Sequence, residues 1–241
     1  MPRRPRLNLA GLPLHIIQRG NNRQACFYAE EDYRFYLHWL ALGASKHGCV
    51  VHAYVLMTNH VHLLLTPETP GAASTLMQSL GRRYVQYVNR FYRRSGTLWE
   101  GRFRASLVNA DEYLLTCMRY IELNPVRAAM VGDPSSYTWS SHGHNGLGRI
   151  NDLIGEHELY KALGANPAER RAAYVQLFRS ELDPTLLTEI RGAANGGLAL
   201  GGQRFKDEVA AALGMKEQKG KPGRRRAGAF GFDGEQVEIE I

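Results

Sequence analysis

The sequence predicts an α+β protein with a ferredoxin-like split βαβ domain, built on an antiparallel sheet, and a C-terminal α-helical appendage. Strand and helix patterns follow the order βαββαβ over residues 14–108, and beyond residue 130 the periodic patterns are helical. The chain has 241 residues, of which 44% are hydrophobic, so it is long enough to bury at least one full core. The βαββαβ order is that of a sheet with helices on one face and the other face free for a ligand.

The first half of this domain contains three strand patterns and one helix pattern. Residues 14–19 predict a strand that ends at a Gly-Asn-Asn turn. Apolar residues at helical spacing predict a helix over residues 30–47, with acidic residues in its first turn, where the helix dipole favours them, and Gly48 after its end. Residues 50–57 predict a second strand, and the apolar run at residues 57–65 predicts a third strand that pairs with it as a hairpin.

The second half of the domain contains a long helix, a fourth strand and another helix. The long helix is predicted over residues 72–94, and its buried stripe consists of Met77, Leu80, Tyr84, Val88 and Phe91. Its basic face consists of Arg82, Gln86, Arg90 and Arg93. That face is either a solvated surface or a phosphate-binding one. Residues 102–108 predict the fourth strand, and residues 112–123 predict a helix that Pro125 limits.

The region after residue 140 predicts only helices. They are expected at residues 153–163, 168–187 and 203–213, with a break at 192–202. We therefore divide the chain into a principal domain at residues 1–140, an α-helical appendage at 141–215 and a tail at 216–241. The tail is basic and then acidic, and we expect it to be disordered. His142 and His144 are predicted to lie in a solvated loop, because no strand holds both rings.

Composition and charge narrow the classes to which the protein can belong. The chain has no apolar run of about 18 residues and no hydrophobic signal core, so we expect neither membrane insertion nor secretion and place it in the cytoplasm. Three cysteines without CxxC spacing argue against a disulfide framework and a cysteine zinc site. Residues 1–130 hold 16 Lys and Arg against 8 Asp and Glu, an excess that attracts nucleic acid but also occurs on solvated surfaces.

Two histidines in the third strand are candidate metal ligands. Side chains on a strand alternate between its faces, so His60 and His62 point the same way and present two imidazoles side by side. Two imidazoles make half of a metal site. The pair alone is a weak signal, because two histidines at this spacing also arise by chance.

The helix before Pro125 carries a second group of candidate residues. One face holds Tyr113, Cys117, Tyr120 and Asn124, while Leu114, Met118 and Ile121 form the core face. Tyr120 lies one turn before Asn124, whose amide oxygen suits a hard cation. From the residues alone, Tyr120 is either a packing residue or a nucleophile. Asn124 is either a metal ligand or a helix C-terminal residue that satisfies backbone groups.

Three ordered motifs resemble those of a known family. They are Asn-His-Val-His at residues 59–62, Leu-Trp-Glu-Gly-Arg-Phe at 98–103 and Arg-Tyr-Ile-Glu-Leu-Asn-Pro-Val-Arg-Ala at 119–128. Together they resemble the single-tyrosine transposases with a His-hydrophobic-His (HUH) motif, and among these the REP-associated tyrosine transposases, over about residues 8–140. The resemblance implies that Mg²⁺ or Mn²⁺ is held by His60, His62 and Asn124. It also implies that Tyr120 attacks single-stranded DNA and forms a 5′-phosphotyrosine intermediate.

Three functions remain in competition at this point. The first is a metal-dependent single-stranded DNA endonuclease and strand transferase, a transposase that acts on palindromic hairpin elements. The second is a hydrolytic metallo-phosphoesterase that uses the histidine pair, and the third is a non-catalytic hairpin DNA-binding protein of the same fold. The expected partner is single-stranded or hairpin DNA, and the protein is either a monomer or a homodimer. The expected DNA-binding residues are Arg3, Arg4, Arg6, Arg19, Arg82, Arg90, Arg93, Arg102 and Arg104.

Overall fold

The structure is a computed structural model in which residues 9–214 are described, so Arg3, Arg4, Arg6 and the predicted tail at 216–241 lie outside the described residues. The strands are β1 (Leu14–Arg19), β2 (Cys49–Leu56), β3 (His60–Pro67) and β4 (Arg104–Leu107). The α-helices of residues 9–214 are α1 (Glu30–His47), α2 (Ala72–Phe91), α3 (Ala110–Glu122), α4 (Asn124–Arg127), α5 (His142–Asn145), α6 (Glu158–Lys161), α7 (Pro167–Gln176), α8 (Pro184–Gly196) and α9 (Gln203–Ala212). Within this range no helix combines the length and the apolar character that a membrane crossing requires.

The four strands form one antiparallel sheet with the order β2-β3-β1-β4. The strand β1 therefore lies between β3 and β4, and its residue Ile17 is opposite His62 on one side and Arg104 on the other. Helix α1 connects β1 to β2, and α2 connects β3 to β4, which is the split βαβ topology. The predicted ferredoxin-like α+β fold is confirmed.

The side chains of β3 alternate between two apolar layers. Leu63 and Leu65 are fully buried in the layer that contains α1 and α2, whereas Leu64 is fully buried in the layer that contains α3. A strand covered on both faces is apolar along its whole length, which explains its run of Leu and Val residues. Because alternate residues share a face, His60 and His62 lie on the α3 side with Leu64.

The expectation that the second face of the sheet is free was wrong. Ala53, Val55 and Leu64 form an apolar surface on that face, and burying such a surface is favourable, so α3 and the helices that follow it pack there. The end of the sheet near His60 and His62 remains open as a cleft. The site therefore lies at one end of a covered sheet.

Both edges of the sheet bond to the chain that follows α4. Beside β2, the backbone nitrogen of Ser141 donates to the carbonyl oxygen of Tyr54 (3.0 Å), and beside β4 the nitrogen of Leu200 donates to the oxygen of Leu107 (2.7 Å). These bonds satisfy edge groups that would otherwise pair with other chains. The C-terminal region is thus packed onto the sheet at both edges. The division of the chain at residue 140 stays a prediction.

Some helices end at other residues than predicted. Helix α2 ends at Phe91, whose side chain is 64% exposed, and Arg93 follows with φ of 50°, so Phe91 is not buried and Arg93 is not on the helix. The helix predicted at residues 168–187 is divided in two: α7 ends at Gln176, and α8 begins at Pro184, because proline is tolerated in the first turn of a helix but not in its interior. Helix α8 then runs to Gly196, through residues predicted to be a break.

A buried carboxylate joins α3 to the C-terminal region. Glu122 is fully buried. It accepts hydrogen bonds from Ser141 Oγ (2.6 Å), His142 Nδ1 (3.0 Å), Asn145 Nδ2 (2.8 Å) and Tyr174 Oη (3.0 Å). Burial, with the neighbouring Glu122, raises the pKa of Tyr174 well above its ordinary value, so this phenol stays protonated and donates. A buried carboxylate is tolerated only with such partners, so the cluster holds α3 and the C-terminal region together.

The prediction of a solvated loop was wrong for His142. This residue lies in α5 and is 3% exposed, and its ring donates to Glu122. The preceding residue, Ser141, is bonded to the edge of β2, which brings His142 next to the buried carboxylate. His144 is half-buried, and its Nδ1 lies 3.0 Å from the carbonyl oxygen of Arg149.

We expect Glu122→Ala to lower the free energy of unfolding by about 3–5 kcal/mol, because four buried polar groups lose their acceptor. Urea unfolding at pH 7, followed by circular dichroism, measures this difference. The control is Glu30→Ala, which removes an exposed carboxylate paired with Arg34 and should leave the free energy of unfolding nearly unchanged. Equal effects of the two substitutions would contradict the structural role of Glu122.

Candidate active site

A cleft of about 720 Å³ opens where β1, β3 and β4 meet α3, α4 and α8. The predicted nucleophile and the three predicted metal ligands, Tyr120, His60, His62 and Asn124, all line it. They come from β3 and from the consecutive helices α3 and α4, which are distant from β3 in the chain. The fold therefore brings these four side chains to one place.

The ring of His60 is oriented by its neighbour Asn59. The Asn59 Nδ2 donates to the carbonyl oxygen of Arg23 (3.2 Å), and its Oδ1 lies 2.6 Å from His60 Nδ1. An amide oxygen can only accept, so the proton of this bond is on His60 Nδ1. The lone pair of the neutral ring is then on Nε2, which is the nitrogen available to a cation.

The ring of His62 is bonded to a second histidine. His62 Nδ1 lies 2.9 Å from the Nε2 of His15, a fully buried residue of β1. The His62 ring is 5.0 Å from the His60 ring, measured between centroids, at an interplanar angle of 74°. Since Nδ1 is occupied by His15, the nitrogen that His62 can offer to a cation is also Nε2.

The three imidazoles are neutral at pH 7. Burial lowers the pKa of His60 to about 4, with a smaller contribution from Arg19, and it lowers the pKa of His15 to about 3, with a smaller contribution from Arg127. Burial also places the pKa of His62 well below its ordinary value, and the two neighbouring histidines add to the effect. A neutral imidazole has the lone pair that a metal ion requires.

Tyr120 lies in α3 with its ring against both buried histidines. Its ring centroid is 5.9 Å from that of His62 and 5.7 Å from that of His15, and both contacts are edge-on. The guanidinium carbon of Arg127 is 4.1 Å from the centre of the Tyr120 ring, and Arg127 Nη2 donates to the Tyr120 carbonyl oxygen (2.9 Å). Only 4% of Tyr120 is exposed, and the residue is part of the cleft lining.

Asn124 begins the short helix α4 instead of ending α3. Its Nδ2 donates to the carbonyl oxygens of Tyr120 (3.2 Å) and Ile121 (3.4 Å), as expected of a residue that satisfies backbone groups at a helix end. The Oδ1 atom takes no part in these two bonds, and Asn124 lines the cleft. Both roles weighed for this side chain are therefore compatible with its position.

The donor set in the cleft fits a divalent cation. Two imidazole nitrogens and one amide oxygen, from His60, His62 and Asn124, suit Mn²⁺ at least as well as Mg²⁺, because imidazole is a better ligand for Mn²⁺ than for Mg²⁺. Residues 9–214 contain no group of three or more His, Cys, Asp or Glu side chains placed to hold a metal. An amide oxygen would therefore complete the donor set, and the ligand roles stay predictions.

The charge of the cleft is positive. Glu100 is the acidic residue of the lining, and it lies 3.8 Å from the guanidinium of Arg104. The basic residues of the lining are Arg19, Arg102, Arg104, Arg127 and Arg191. A concave surface with this excess of positive over negative charge raises the local concentration of phosphate groups.

Three of the predicted DNA-binding residues lie outside the cleft. Arg82, Arg90 and Arg93 are exposed, on or just after α2, and do not line the cleft. Among the predicted residues that lie within 9–214, only Arg19, Arg102 and Arg104 line the cleft of the candidate nucleophile. Whether any of these residues contacts DNA stays a prediction.

Four residues of the site were missed from the sequence. His15 lies among the apolar residues Leu14, Ile16 and Ile17 of the first strand, and this was a signal that could have identified it. Arg127 lies in the third motif, but its place on the Tyr120 ring depends on α4. Arg191 and Asn195 belong to α8, and no local pattern indicates that they line the cleft, where Asn195 Oδ1 accepts from Arg104 Nη1 (2.6 Å).

Comparisons with known proteins identify the class of this domain. Residues 8–124 match the model of the family described as "Transposase IS200 like". Comparison with curated proteins gave no match. A solved structure of a REP-associated tyrosine transposase bound to a REP hairpin is similar, with a TM-score of 0.53 and 18% identity over 65% of this chain and 93% of that chain. A second structure, described as a transposase from Deinococcus radiodurans R1, has a TM-score of 0.35 and 23% identity over 50% of this chain and 96% of that chain, which is too weak to carry an argument.

The matched region contains the whole sheet, α1, α2 and α3, and it extends to Asn124. It thus includes the first two motifs on which the resemblance was based and residues 119–124 of the third, with the histidine pair and Tyr120. The first solved structure shares the fold. The resemblance predicted from the sequence is confirmed: residues 8–124 match the model of the IS200-like transposases, a family of DNA-processing enzymes.

Proposed function

We propose that this protein nicks and rejoins single-stranded DNA at palindromic, hairpin-forming elements, using Tyr120 as the nucleophile and a divalent cation at the histidine pair. The observation that carries the proposal is the position of Tyr120, whose ring centroid is 5.9 Å from that of His62 in a cleft lined by five arginines. A nucleophile beside candidate metal ligands, in a basic cleft, is the arrangement that phosphoryl transfer requires.

The choice of hairpin DNA as the substrate rests on two observations. The similar structure with a TM-score of 0.53 is that of a REP-associated tyrosine transposase bound to a REP hairpin. The cleft of the present chain carries five guanidinium groups and one carboxylate, so it attracts the DNA backbone without selecting a base sequence. A REP-like hairpin processed in the cytoplasm is accordingly the substrate class that we propose.

In the proposed cleavage step, the Tyr120 oxygen forms a bond to phosphorus while the bond from phosphorus to the 3′ oxygen breaks. The phenolic proton leaves Tyr120, the 3′ oxygen takes up a proton, and the 5′ phosphate remains on the tyrosine. Mg²⁺ or Mn²⁺, when bound, would neutralise charge on the phosphate oxygens and orient the phosphate. Attack by a DNA 3′-hydroxyl on the phosphotyrosine reverses the bond changes and joins two strands without ATP.

Arg127 positions the nucleophile in this proposal. Its guanidinium lies against the face of the Tyr120 ring, and its hydrogen bond to the Tyr120 carbonyl oxygen holds the end of α3. Burial lowers the pKa of Arg127 to about 10, which leaves the side chain cationic at pH 7. This cation adds to the positive charge of the cleft that attracts the phosphate.

We expect Tyr120→Phe to abolish both cleavage and the covalent protein–DNA adduct, because the substitution removes only the attacking oxygen. The measurement is a denaturing gel of a 3′-labelled single-stranded hairpin incubated with Mn²⁺. The control is Tyr113→Phe on the same helix, which removes an exposed hydroxyl bonded to Glu189 and should leave the adduct intact.

The same gel separates the three functions. An adduct that persists in Tyr120→Phe would remove Tyr120 from the mechanism. Cleavage without any adduct in the wild type would favour the hydrolytic phosphoesterase, and hairpin binding without cleavage would favour the non-catalytic protein. The 5′ fragment should end in a 3′-hydroxyl, so a fragment that a polymerase cannot extend would contradict the proposed polarity.

We expect arginines of the cleft and of α2 to differ in their effect on DNA binding. Arg102→Ala, in the cleft, should reduce the slope of log K against log salt concentration by about 0.7, the value for one phosphate contact on a single strand. Arg82→Ala, on the exposed side of α2, should leave the slope unchanged. Fluorescence anisotropy with a labelled hairpin over a range of salt concentrations measures both. Equal slope changes would show that DNA also follows α2.

We expect Asn124→Ala to raise the Mn²⁺ concentration needed for half-maximal cleavage at least about tenfold. Loss of a residue that only hydrogen-bonds to a metal ligand already lowers metal affinity by about that factor, and loss of a ligand should lower it at least as much. Asn124→Asp should restore the affinity, because a hard cation prefers a carboxylate. Cleavage rates over a range of Mn²⁺ concentrations, with thermal unfolding in parallel, measure the two roles of Asn124. If both variants change only the melting temperature, Asn124 is a helix-end residue and not a ligand.

A further inference from the structure

His15 is in contact with both the candidate ligand His62 and the candidate nucleophile Tyr120. It is fully buried in β1, and its ring is stacked on that of His62 with centroids 5.1 Å apart and an interplanar angle of 18°. Its Nε2 is 2.9 Å from His62 Nδ1, and its ring also meets that of Tyr120 edge-on. His15 therefore contacts both reactive side chains from beneath the cleft.

The direction of the hydrogen bond between His15 and His62 decides whether His62 can bind a cation. Each neutral imidazole carries one proton and one lone pair. If His62 donates from Nδ1, its Nε2 holds a lone pair that can bind a metal. If His15 donates from Nε2 instead, the only proton of His62 is on its own Nε2, and that nitrogen cannot be a ligand.

The register of the sheet places a polar residue directly opposite His15. Ser106 of β4 is directly opposite His15, so the two side chains lie on the same face of the sheet, whereas Leu64 of β3 on the other side offers no acceptor. His15 Nδ1 and Ser106 Oγ are both buried, and neither has a hydrogen-bond partner among residues 9–214. A serine hydroxyl accepts as well as donates, so it suits a proton on His15 Nδ1.

We propose that His15 is a positioning residue that accepts the Nδ1 proton of His62, holds its own proton on Nδ1 towards Ser106, and so keeps the His62 Nε2 lone pair available to the cation. This inference rests on the metal-dependent function proposed above. The other histidine of the pair is held in the same way, because His60 Nδ1 donates to Asn59. A partner that holds a metal-binding histidine through its second nitrogen contributes about 10- to 100-fold to metal affinity.

The first test is the position of the proton on His62 in the full-length protein without metal. Nitrogen-15 NMR of the histidine side chains distinguishes a proton on Nδ1 from one on Nε2, and the spectra of His15→Gln and His62→Gln assign the two rings. We expect both rings to carry the proton on Nδ1. A proton on Nε2 of His62 would overturn the inference, whatever the activity of the enzyme.

The second test is Mn²⁺ binding in the absence of DNA, measured by the electron paramagnetic resonance signal of free Mn²⁺. His15→Leu should raise the dissociation constant about 10- to 100-fold. His15→Gln is similar in size but retains an oxygen that can accept from His62, so it should keep most of the affinity. The matched control is His52→Leu, which removes a buried histidine of β2 that bonds Gly155 and Thr66 outside the cleft, and it should leave the dissociation constant unchanged.

The outcomes separate this inference from the proposed function. If the wild type binds Mn²⁺ and His60→Ala abolishes binding, but His15→Leu binds as well as the wild type, the inference is overturned and the metal site stands. Equal losses in His15→Leu and His15→Gln would overturn it as well, because they would point to packing and not to the acceptor. If the wild type binds no Mn²⁺, the metal site of the proposed function is overturned, and this inference with it.

Discussion

The buried carboxylate of Glu122 is the constraint on which the placement of α3, the helix of the candidate nucleophile, depends. A fully buried carboxylate is stable only when its oxygens are bonded, and four side chains of residues 141–174 provide those bonds. Glu122 follows Tyr120 by two residues, which is about 200° of rotation around a helix, so the two side chains leave α3 on nearly opposite sides. Anchoring Glu122 on one side therefore fixes the direction in which Tyr120 faces the histidines on the other.

The sheet imposes the second constraint, because its strands are buried on both faces. In β3 the residues that alternate with Leu63 and Leu65 must lie in the α3 layer, and His60 and His62 are among them. Burial of these imidazoles lowers their pKa and keeps them neutral, which removes competition from protons for any cation bound there. The apolar surroundings that stabilise the fold thus also prepare the histidine pair.

The cleft is assembled from both halves of the chain. The family match ends at Asn124, yet Arg127 and Arg191, which line the cleft and carry positive charge, follow it in the sequence. Arg104 and Asn195 are 91 residues apart and share a hydrogen bond at the cleft. The region predicted to be an appendage is therefore part of the surface that faces the candidate nucleophile, and it adds to the field that attracts phosphate.

The sequence by itself determined most of the local structure and the candidate site. The helix predicted at residues 30–47 is Glu30–His47, the first strand is as predicted, and the shared face of His60 and His62 follows from strand alternation alone. These predictions succeed because periodicity and turn residues act between near neighbours in the chain. Arg93 and Pro184 show the limit of such patterns, since a helix pattern does not specify the residue at which the helix ends.

Only the tertiary structure decided which buried polar groups meet. His15 and His62 are 47 residues apart, and His142 and Glu122 are 20 residues apart. No local pattern of either pair indicates its partner, so His142 was placed in a solvated loop and His15 was not singled out. The physical reason is that an apolar stripe indicates a covered face but not what covers it. The partner of a buried polar group is set by the packing of distant segments and by the requirement that its hydrogen bonds be satisfied.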